Sequence, residues 1–314
     1  MKVNIQTSAK SFRQFLDENH IVSSRLLNTT ALFLFAAPLV IVLYGSFVFN
    51  PANADNLLLY IMQVIADVIA IAALLGLWLT VLLDVVIEKH HRSHRIDSGS
   101  FLSHHRPTMD VFVTTYGEPI DIIRHTVTAA VNMDYPHVTY VLDDGNSSQV
   151  EAVALSLGAR YLTRDNRQHA KAGNVNHALQ YAKGEFFAIF DADQVPKKDF
   201  ITKLLPYMVN ERLAMVQSPQ YFANTHSFIA AGTAQAQEVF YRYVCPAKNI
   251  SNSAFCVGTN MIFRREAIDE IGGIAKNNSE DIWTSFLLHE RGWHTLFVNE
   301  VLAVGEAPAT VVTM

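Results

Sequence analysis

Two regimes of hydrophobic patterning divide the chain. Residues 26–49 ("LLNTTALFLFAAPLVIVLYGSFVF") contain no charged residue, and residues 57–87 ("LLLYIMQVIADVIAIAALLGLWLTVLLDVVI") are interrupted only by Asp67 and Asp84. Each run exceeds the roughly 20 apolar residues that cross a hydrocarbon core. From residue 109 the pattern breaks into short β-rich runs alternating with helical stretches. "DVFVTTY", "VTYVLDDG", "ARYLTR", "EFFAIFDAD" and "LAMVQSP" read as strands; "IDIIRHTVTAAVNM", "QVEAVALSLG", "AGNVNHALQYAKG" and "KDFITKLLPYMVNE" read as helices. That alternation predicts βαβ units and a mainly parallel, Rossmann-like sheet. "FFAIF" is continuously apolar, as expected of a strand covered on both faces. Further on, "FCVGTNMIFRREAIDEIGG" predicts a strand and then a helix closed at Gly272 and Gly273. "NSEDIWTSFLLHERGW" predicts a helix capped by Ser279 or Asn278, and "HTLFVNE" another strand.

The two apolar runs predict a pair of transmembrane helices, about 26–49 and 57–87, joined by the short loop "NPANADN". That loop has no Lys or Arg, whereas Lys2, Lys10, Arg13 and Arg25 precede the first run and Lys89, Arg92 and Arg95 follow the second. The positive-inside rule then puts both ends in the cytoplasm. Asp67 either lies outside the buried part of its helix or faces a partner helix or polar cavity, because an acid within the bilayer is costly. "ANA" at 52–54 offers a competing reading as a signal-peptidase site, but the first apolar run is long for a signal core and starts late. The resulting organisation is a cytoplasmic segment over 1–25, the hairpin over 26–87, a basic juxtamembrane linker over 88–107 and a soluble domain over 108–314. The His-rich "EKHHRSHR" in that linker fits a basic cap on anionic headgroups more simply than a metal site.

Composition narrows the picture. Half of the 314 residues are hydrophobic and the net charge is -5, so neither a basic footprint nor an aromatic-interleaved stripe points to nucleic acid. Two cysteines, Cys245 and Cys256, are too few for a disulfide framework and too far apart for a metal knuckle, which suits a reduced setting.

In open α/β sheets ligands bind outside the carboxyl ends of the strands. "TTYGEP", "LDDG" and "FDADQVP" all fall at such ends, so their polar residues should converge. Asp191 and Asp193 suit a divalent cation, since Mg²⁺ takes oxygen ligands and is commonly held by one or two carboxylates plus substrate phosphates. Taken alone, the same acids could equally cap a helix or make Asx turns. Asp144 could hold a ribose or base edge, or organise the turn that Gly145 allows. Lys171 precedes a helix, where a cation and N-terminal amides could meet phosphate. Asp281 could be a helix-start acid favoured by the dipole, or a general base if it faces the crevice.

The ordered set "VLDDG", "HAKAGNVNHAL", "FDADQVP", "QSPQYF", "FCVGTNMIFRR" and "SEDIWTSFLLHERGW" resembles the cytoplasmic domain of bacterial cellulose synthase catalytic subunits, which are family-2 glycosyltransferases of the GT-A fold. The resemblance covers residues 108–309. It implies that Asp144 contacts the uridine of a UDP-sugar, helped by Thr115, Tyr116 and Glu118. Lys171 would neutralise the diphosphate, and Asp191 and Asp193 would engage it through Mg²⁺ or Mn²⁺. Asp281 would deprotonate the acceptor hydroxyl, while Gln217, Pro219, Cys256 and Gly258 would line the channel of the growing glucan. It further implies an inner-membrane, multi-pass enzyme with its catalytic domain in the cytoplasm, alongside further subunits of a synthase complex.

Some positions depart from that pattern. Gly117 stands where the family usually has Asn, "QSPQYF" replaces "QTPHFF", and Ser279 replaces the Thr of "TED". The family's QxxRW motif should follow "EAPAT", and the sequence stops at Met314. The chain is therefore expected to be a fragment that binds UDP-sugar weakly and makes no long polymer. Synthesis of another polysaccharide, a mixed-linkage or β-1,3 glucan or an amino-sugar polymer, is an alternative within the same family, and a non-catalytic assembly remnant is another. "FDADQV" also fits the loop of haloacid-dehalogenase-type phosphotransferases, but there it follows the first strand of the fold.

Overall fold

The computed structural model describes residues 34–91, 106–222, 232, 237–238 and 240–305. Between Val86 and Ile87 the chain divides into two compact units.

The first unit holds two helices, α1 (Leu34–Val48) and α2 (Leu57–His91). Asn50 accepts from Ala52 N at the tight turn Pro51–Asn53, and Asn56 accepts from Leu58 N (3.0 Å) and Leu59 N (3.2 Å) at the start of α2. The polar residues of "NPANADN" thus satisfy amides that a helix start leaves free. The segment Leu57–Leu79, with mean hydropathy 2.4, is the one stretch among the described residues long and apolar enough to cross a membrane. α1 is apolar but shorter, and positions 26–33 of the expected first span lie outside the described residues, as do residues 92–105 of the expected basic linker. Asp67 faces the partner helix, where Tyr44 Oη donates to its Oδ1 (2.8 Å). Trp78 Nε1 donates to the Leu34 carbonyl (3.0 Å), a second tie between the helices.

The second unit is built on a seven-stranded sheet. Its strands are β1 (Met109–Thr115), β2 (Val138–Asp143), β3 (Arg160–Leu162), β4 (Phe186–Asp191), β6 (Leu213–Gln217), β7 (Met261–Arg264) and β8 (His294–Phe297), in the order β3-β2-β1-β4-β7-β6-β8. β5 (Gln194–Pro196) and β9 (Ala303–Gly305) form a separate antiparallel pair. The ladders β3-β2, β2-β1, β1-β4 and β6-β8 are parallel, and β7 runs antiparallel to both its neighbours. The mainly parallel α/β sheet is as the alternating pattern predicts.

Helices α3 (Ile120–Val131) and α4 (Ser148–Ser156) connect the first strands. α5 (Ala170–Ala178), α6 (Phe200–Leu204), α7 (Arg265–Glu270) and α8 (Glu280–Glu290) follow. Apolar side chains of β4 alternate between two cores. Phe186, Ala188 and Phe190 pack with residues of α3, α4 and α6, while Phe187 and Ile189 pack with residues of α5, α7 and α8. That explains the unbroken "FFAIF": neither face meets water, and each fully buried Phe contributes about 1.5–3 kcal/mol.

Two local outcomes differ from expectation. "KDFITKLLPYMVNE" forms only the short α6 and then a tight 3-10 turn, Leu205–Val209, because Pro206 has no N–H to continue an α-helical ladder. "FCVGT" is not strand; pairing begins at Met261. The stop at Gly272 and Gly273 is a Schellman closure, with Gly273 N donating to Ile268 O (2.8 Å) and Gly272 N to Asp269 O (3.1 Å) at positive φ.

Candidate active site

The strand order reverses between β1 and β4, and strand register brings three polar tips together there. Thr114 pairs with Asp191 across β1-β4, and Thr115 pairs with Asp143 across β1-β2. Just beyond β1 the chain turns at Gly117 (φ +88°), and Glu118 folds back over the strand end. Its Oε2 accepts from Thr115 Oγ1 (2.6 Å) and Tyr116 N (2.7 Å). Tyr116 itself is 68% exposed.

The two acids of "DDG" have separate tasks. Asp143 is buried and organises the turn, accepting from Gly145 N (2.6 Å), Ser147 N (2.7 Å) and Tyr161 Oη (2.9 Å). Burial, then the bond to Asp143, pushes the Tyr161 phenol up to about 12, so it stays a donor. Gly145 is required by close approach rather than by a left-handed backbone: a Cβ there would lie 2.8 Å from Asp143 Oδ1. The positive φ of the turn falls on Asn146 (+53°), a residue that tolerates it. Asp144 meets Arg164 in a bidentate ion pair, Nε to Oδ1 and Nη2 to Oδ2, both 2.7 Å, with both side chains 8% exposed.

Lys171 stands in the first turn of α5. Its Nζ pairs with Asp191 Oδ1 and donates to the Gly258 carbonyl (2.6 Å). Asp191 also receives Thr114 Oγ1 (3.1 Å), and its backbone N–H donates to Thr259 Oγ1 (3.0 Å). Ala192 between the acids is buried, its carbonyl accepting from Thr126 Oγ1 (2.6 Å), so the small residue anchors the turn while both acids stay partly exposed. Burial, then the negative charge of Asp191, raises the Asp193 carboxyl to about 6, with Glu118 adding to the rise and Lys171 opposing it. A carboxyl raised by burial beside a second hard oxygen donor is a site that a divalent cation would relieve. Among the described residues no group of three or more His, Cys, Asp or Glu could hold a metal by itself. The pair therefore fits a cation whose coordination a substrate phosphate would complete.

On the other side of Lys171 lies a cleft lined by, among others, Gly258, Glu280 and Asp281. Asp281 opens α8, where its Oδ1 accepts from Ile282 N (2.8 Å). Its Oδ2 would lie 3.9 Å from a Cβ placed on Gly258, whose φ is +91°. Ser279 occupies the N-cap position of α8 without a side-chain capping bond. Cys256 also lines this cleft and is buried, as are Gln217 and Pro219. Gln217 Nε2 donates to Phe255 O and its Oε1 accepts from Val257 N (3.1 Å), while Gln220 Nε2 holds Val257 O (3.0 Å). Cys256 is pinned through its N–H to Ser285 Oγ (2.7 Å), and burial pushes its thiol up to about 12. These residues shape the segment that carries Gly258 rather than presenting their own polar atoms.

The structure thus gathers Thr115, Glu118, Asp144, Lys171, Asp191 and Asp193 around the strand tips, and Gly258 and Asp281 beside Lys171. The sequence reading missed Arg164, Thr114 and Thr259. Arg164 lies two residues beyond the end of β3, so the carboxyl-end rule applied to that short strand would have marked it.

Residues 110–272 match the family model described as Glycosyl transferase family 2. Cellulose synthase 2 of Novacetimonas hansenii is 36% identical over 209 residues, 63% of this chain and 13% of that protein. The cellulose synthase 1 catalytic subunit [UDP-forming] of Komagataeibacter xylinus is 34% identical over 217 residues, 66% of this chain and 29% of that protein. The chain therefore spans less than a third of the length of these curated relatives. Among solved structures, the mannosyltransferase PcManGT from Pyrobaculum calidifontis, in complex with GDP-Man and Mn²⁺, superposes with a TM-score of 0.54 at 17% identity, covering 74% of this chain and 70% of that one. That likeness concerns the fold, the mixed α/β GT-A arrangement.

Proposed function

The chain belongs to glycosyl transferase family 2, and from that premise we propose that it transfers glucose from UDP-glucose to the end of a β-glucan such as cellulose. The observation that carries this reading is the position of Gly258. Its carbonyl holds Lys171 of the donor side, and its α-carbon faces the Asp281 carboxylate. One cleft therefore brings a phosphate-neutralising cation and a candidate base together. The identity to UDP-forming cellulose synthases supports uridine as the nucleoside and glucan as the product.

In this mechanism Asp144 and the Thr115–Glu118 turn receive the nucleoside, and Lys171 shifts its charge from Asp191 to the diphosphate. Asp191 and Asp193 would hold Mg²⁺ or Mn²⁺, which when bound supplies electrostatic stabilisation of the leaving diphosphate. Asp281 takes the proton of the acceptor hydroxyl as that oxygen attacks the anomeric carbon. A single in-line displacement turns an α-linked donor into a β-glycoside. The diphosphate leaves without a second carboxylic acid to protonate it, unlike the leaving group of a glycosidase.

The helical hairpin supports bilayer anchoring. Its outward side chains are apolar, with Phe35 83%, Leu57 71% and Ile69 66% exposed, a surface that water disfavours. By the positive-inside rule the transferase domain then lies in the cytoplasm, beside whatever further synthase subunits the complex holds.

Calorimetric titration of the full chain in detergent with UDP, GDP and ADP, each with Mg²⁺, tests the donor reading. Saturable binding of UDP in preference to the others is the expected result. Equal binding of all three, or none of UDP, would refute it.

A further inference from the structure

We infer that Arg164 is a positioning residue that locks the nucleoside acid Asp144 and the lysine loop before α5 into one unit. This rests on the donor reading above and adds to it a residue for which neither composition nor motif argued.

Three observations converge on it. First, its guanidinium spends Nε and Nη2 on the two oxygens of Asp144. Second, the same group reaches across the loop, Nη1 donating to Gln168 O and Nη2 to Ala170 O, both 2.8 Å. Those carbonyls flank His169 (φ +64°) and Ala170 (φ +39°), two consecutive non-glycine residues in the left-handed region. Such backbone costs energy and persists only where its surroundings over-determine it, typically at functional sites. Here the kink directly precedes Lys171, so the bonds that hold it also set where Lys171 starts from. Third, Gly173 is reserved for this fork. A Cβ there would collide with the Gln168 carbonyl and the Arg164 guanidinium, although Gly173 sits inside a helix where alanine is otherwise preferred.

Arginine is suited to this task and lysine is not. A planar fork with five donors can grip a carboxylate with two N–H groups and still serve two carbonyls, whereas an ammonium acts as a point charge. The inferred consequence is coupling: the base-recognising acid and the diphosphate lysine are aligned by one side chain, so neither is set independently of it.

The test measures the binding of UDP and of inorganic pyrophosphate, each with Mg²⁺, to the full chain, with a melting curve for every variant. R164K keeps the charge and loses the fork. G173A leaves Arg164 and Asp144 intact but drives a Cβ against the Gln168 carbonyl and the Arg164 guanidinium, displacing the fork from the loop. Both should weaken UDP and pyrophosphate alike by about tenfold, the scale of a lost charge-assisted hydrogen bond. D144N should weaken UDP and spare pyrophosphate, and adding D144N to R164K should cost less than it does in the wild type. If R164K and G173A lower only the melting temperature while the folded protein binds both ligands as before, Arg164 is merely structural and the inference fails. If R164K weakens UDP but spares pyrophosphate, it acts on Asp144 alone and the coupling fails. If the wild type binds no UDP, the donor reading itself falls, which is a distinct result.

Discussion

The proposed donor and acceptor sides of the cleft are held in opposite ways. On the donor side the functional groups are side chains already engaged by other charged side chains: Asp144 by Arg164, and Asp191 by Lys171. On the acceptor side the polar side chains are spent on backbone, as with Gln217 and Gln220 on residues 255–257, and the Asp281 carboxylate at the cleft is, among the described residues, bonded only locally at its own helix start. The lesson is that donor affinity should depend on both charge pairs, the grip of Arg164 on Asp144 that stays in place and the Lys171–Asp191 pair that is exchanged for the diphosphate, whereas transfer should depend on a single group whose removal leaves the donor site standing.

The largest break in that comparison is Asp281→Asn. Loss of a general base should lower glucosyl transfer by about 10²–10⁴-fold, with UDP affinity unchanged, measured by incorporation of labelled glucose beside calorimetry. Lys171→Met should do the reverse on binding. UDP affinity should fall by about 10–100-fold, the range for a hydrogen bond to a charged group, while the melting temperature changes little.

Smaller effects test the scaffold. Gly145→Ala forces a Cβ against Asp143 Oδ1 and should destabilise the domain by about 1–3 kcal/mol in urea unfolding. Cys256→Ala should cost about 1 kcal/mol of stability through lost packing and leave UDP affinity unchanged. The native thiol, buried and held protonated, should resist alkylation until the protein unfolds.

The smallest effect is a pH difference. The Asp193 carboxyl is raised in the folded state to about 6, so the proton it holds favours the folded form at low pH. In metal-free buffer its contribution is complete below the ordinary carboxylate range and is lost as pH rises through about 6. Asp193→Asn should remove that decline, so the gap in melting temperature between variant and wild type should widen from pH 4 to pH 7.

Much of the fold was legible because burial leaves a plain signature. "FFAIF" reads as a two-sided strand since its residues feed two cores in alternation, and Gly272–Gly273 reads as a helix stop since both adopt positive φ. Local chemistry hid other features. Pro206 cut a helix that apolar periodicity alone extended. Gly145 was expected to serve a turn, yet what it serves is the approach of a side chain two residues earlier. The residues proposed for the donor could be picked out because most of them fall at strand ends and Lys171 at a helix start. Their partners could not, since the grip of Arg164 on Asp144 spans 20 residues and depends on β2 and β3 being neighbours. Cys256 and Gly258 share a motif and both border the cleft, but only packing shows that the Cys256 side chain is almost wholly buried there.

The most direct test of the divided cleft is calorimetric titration of UDP with Mg²⁺ into Lys171→Met and Asp281→Asn of the full chain, side by side. The account predicts that Lys171→Met loses most of the wild-type affinity and Asp281→Asn keeps it. Equal loss in both, or loss confined to Asp281→Asn, would contradict it.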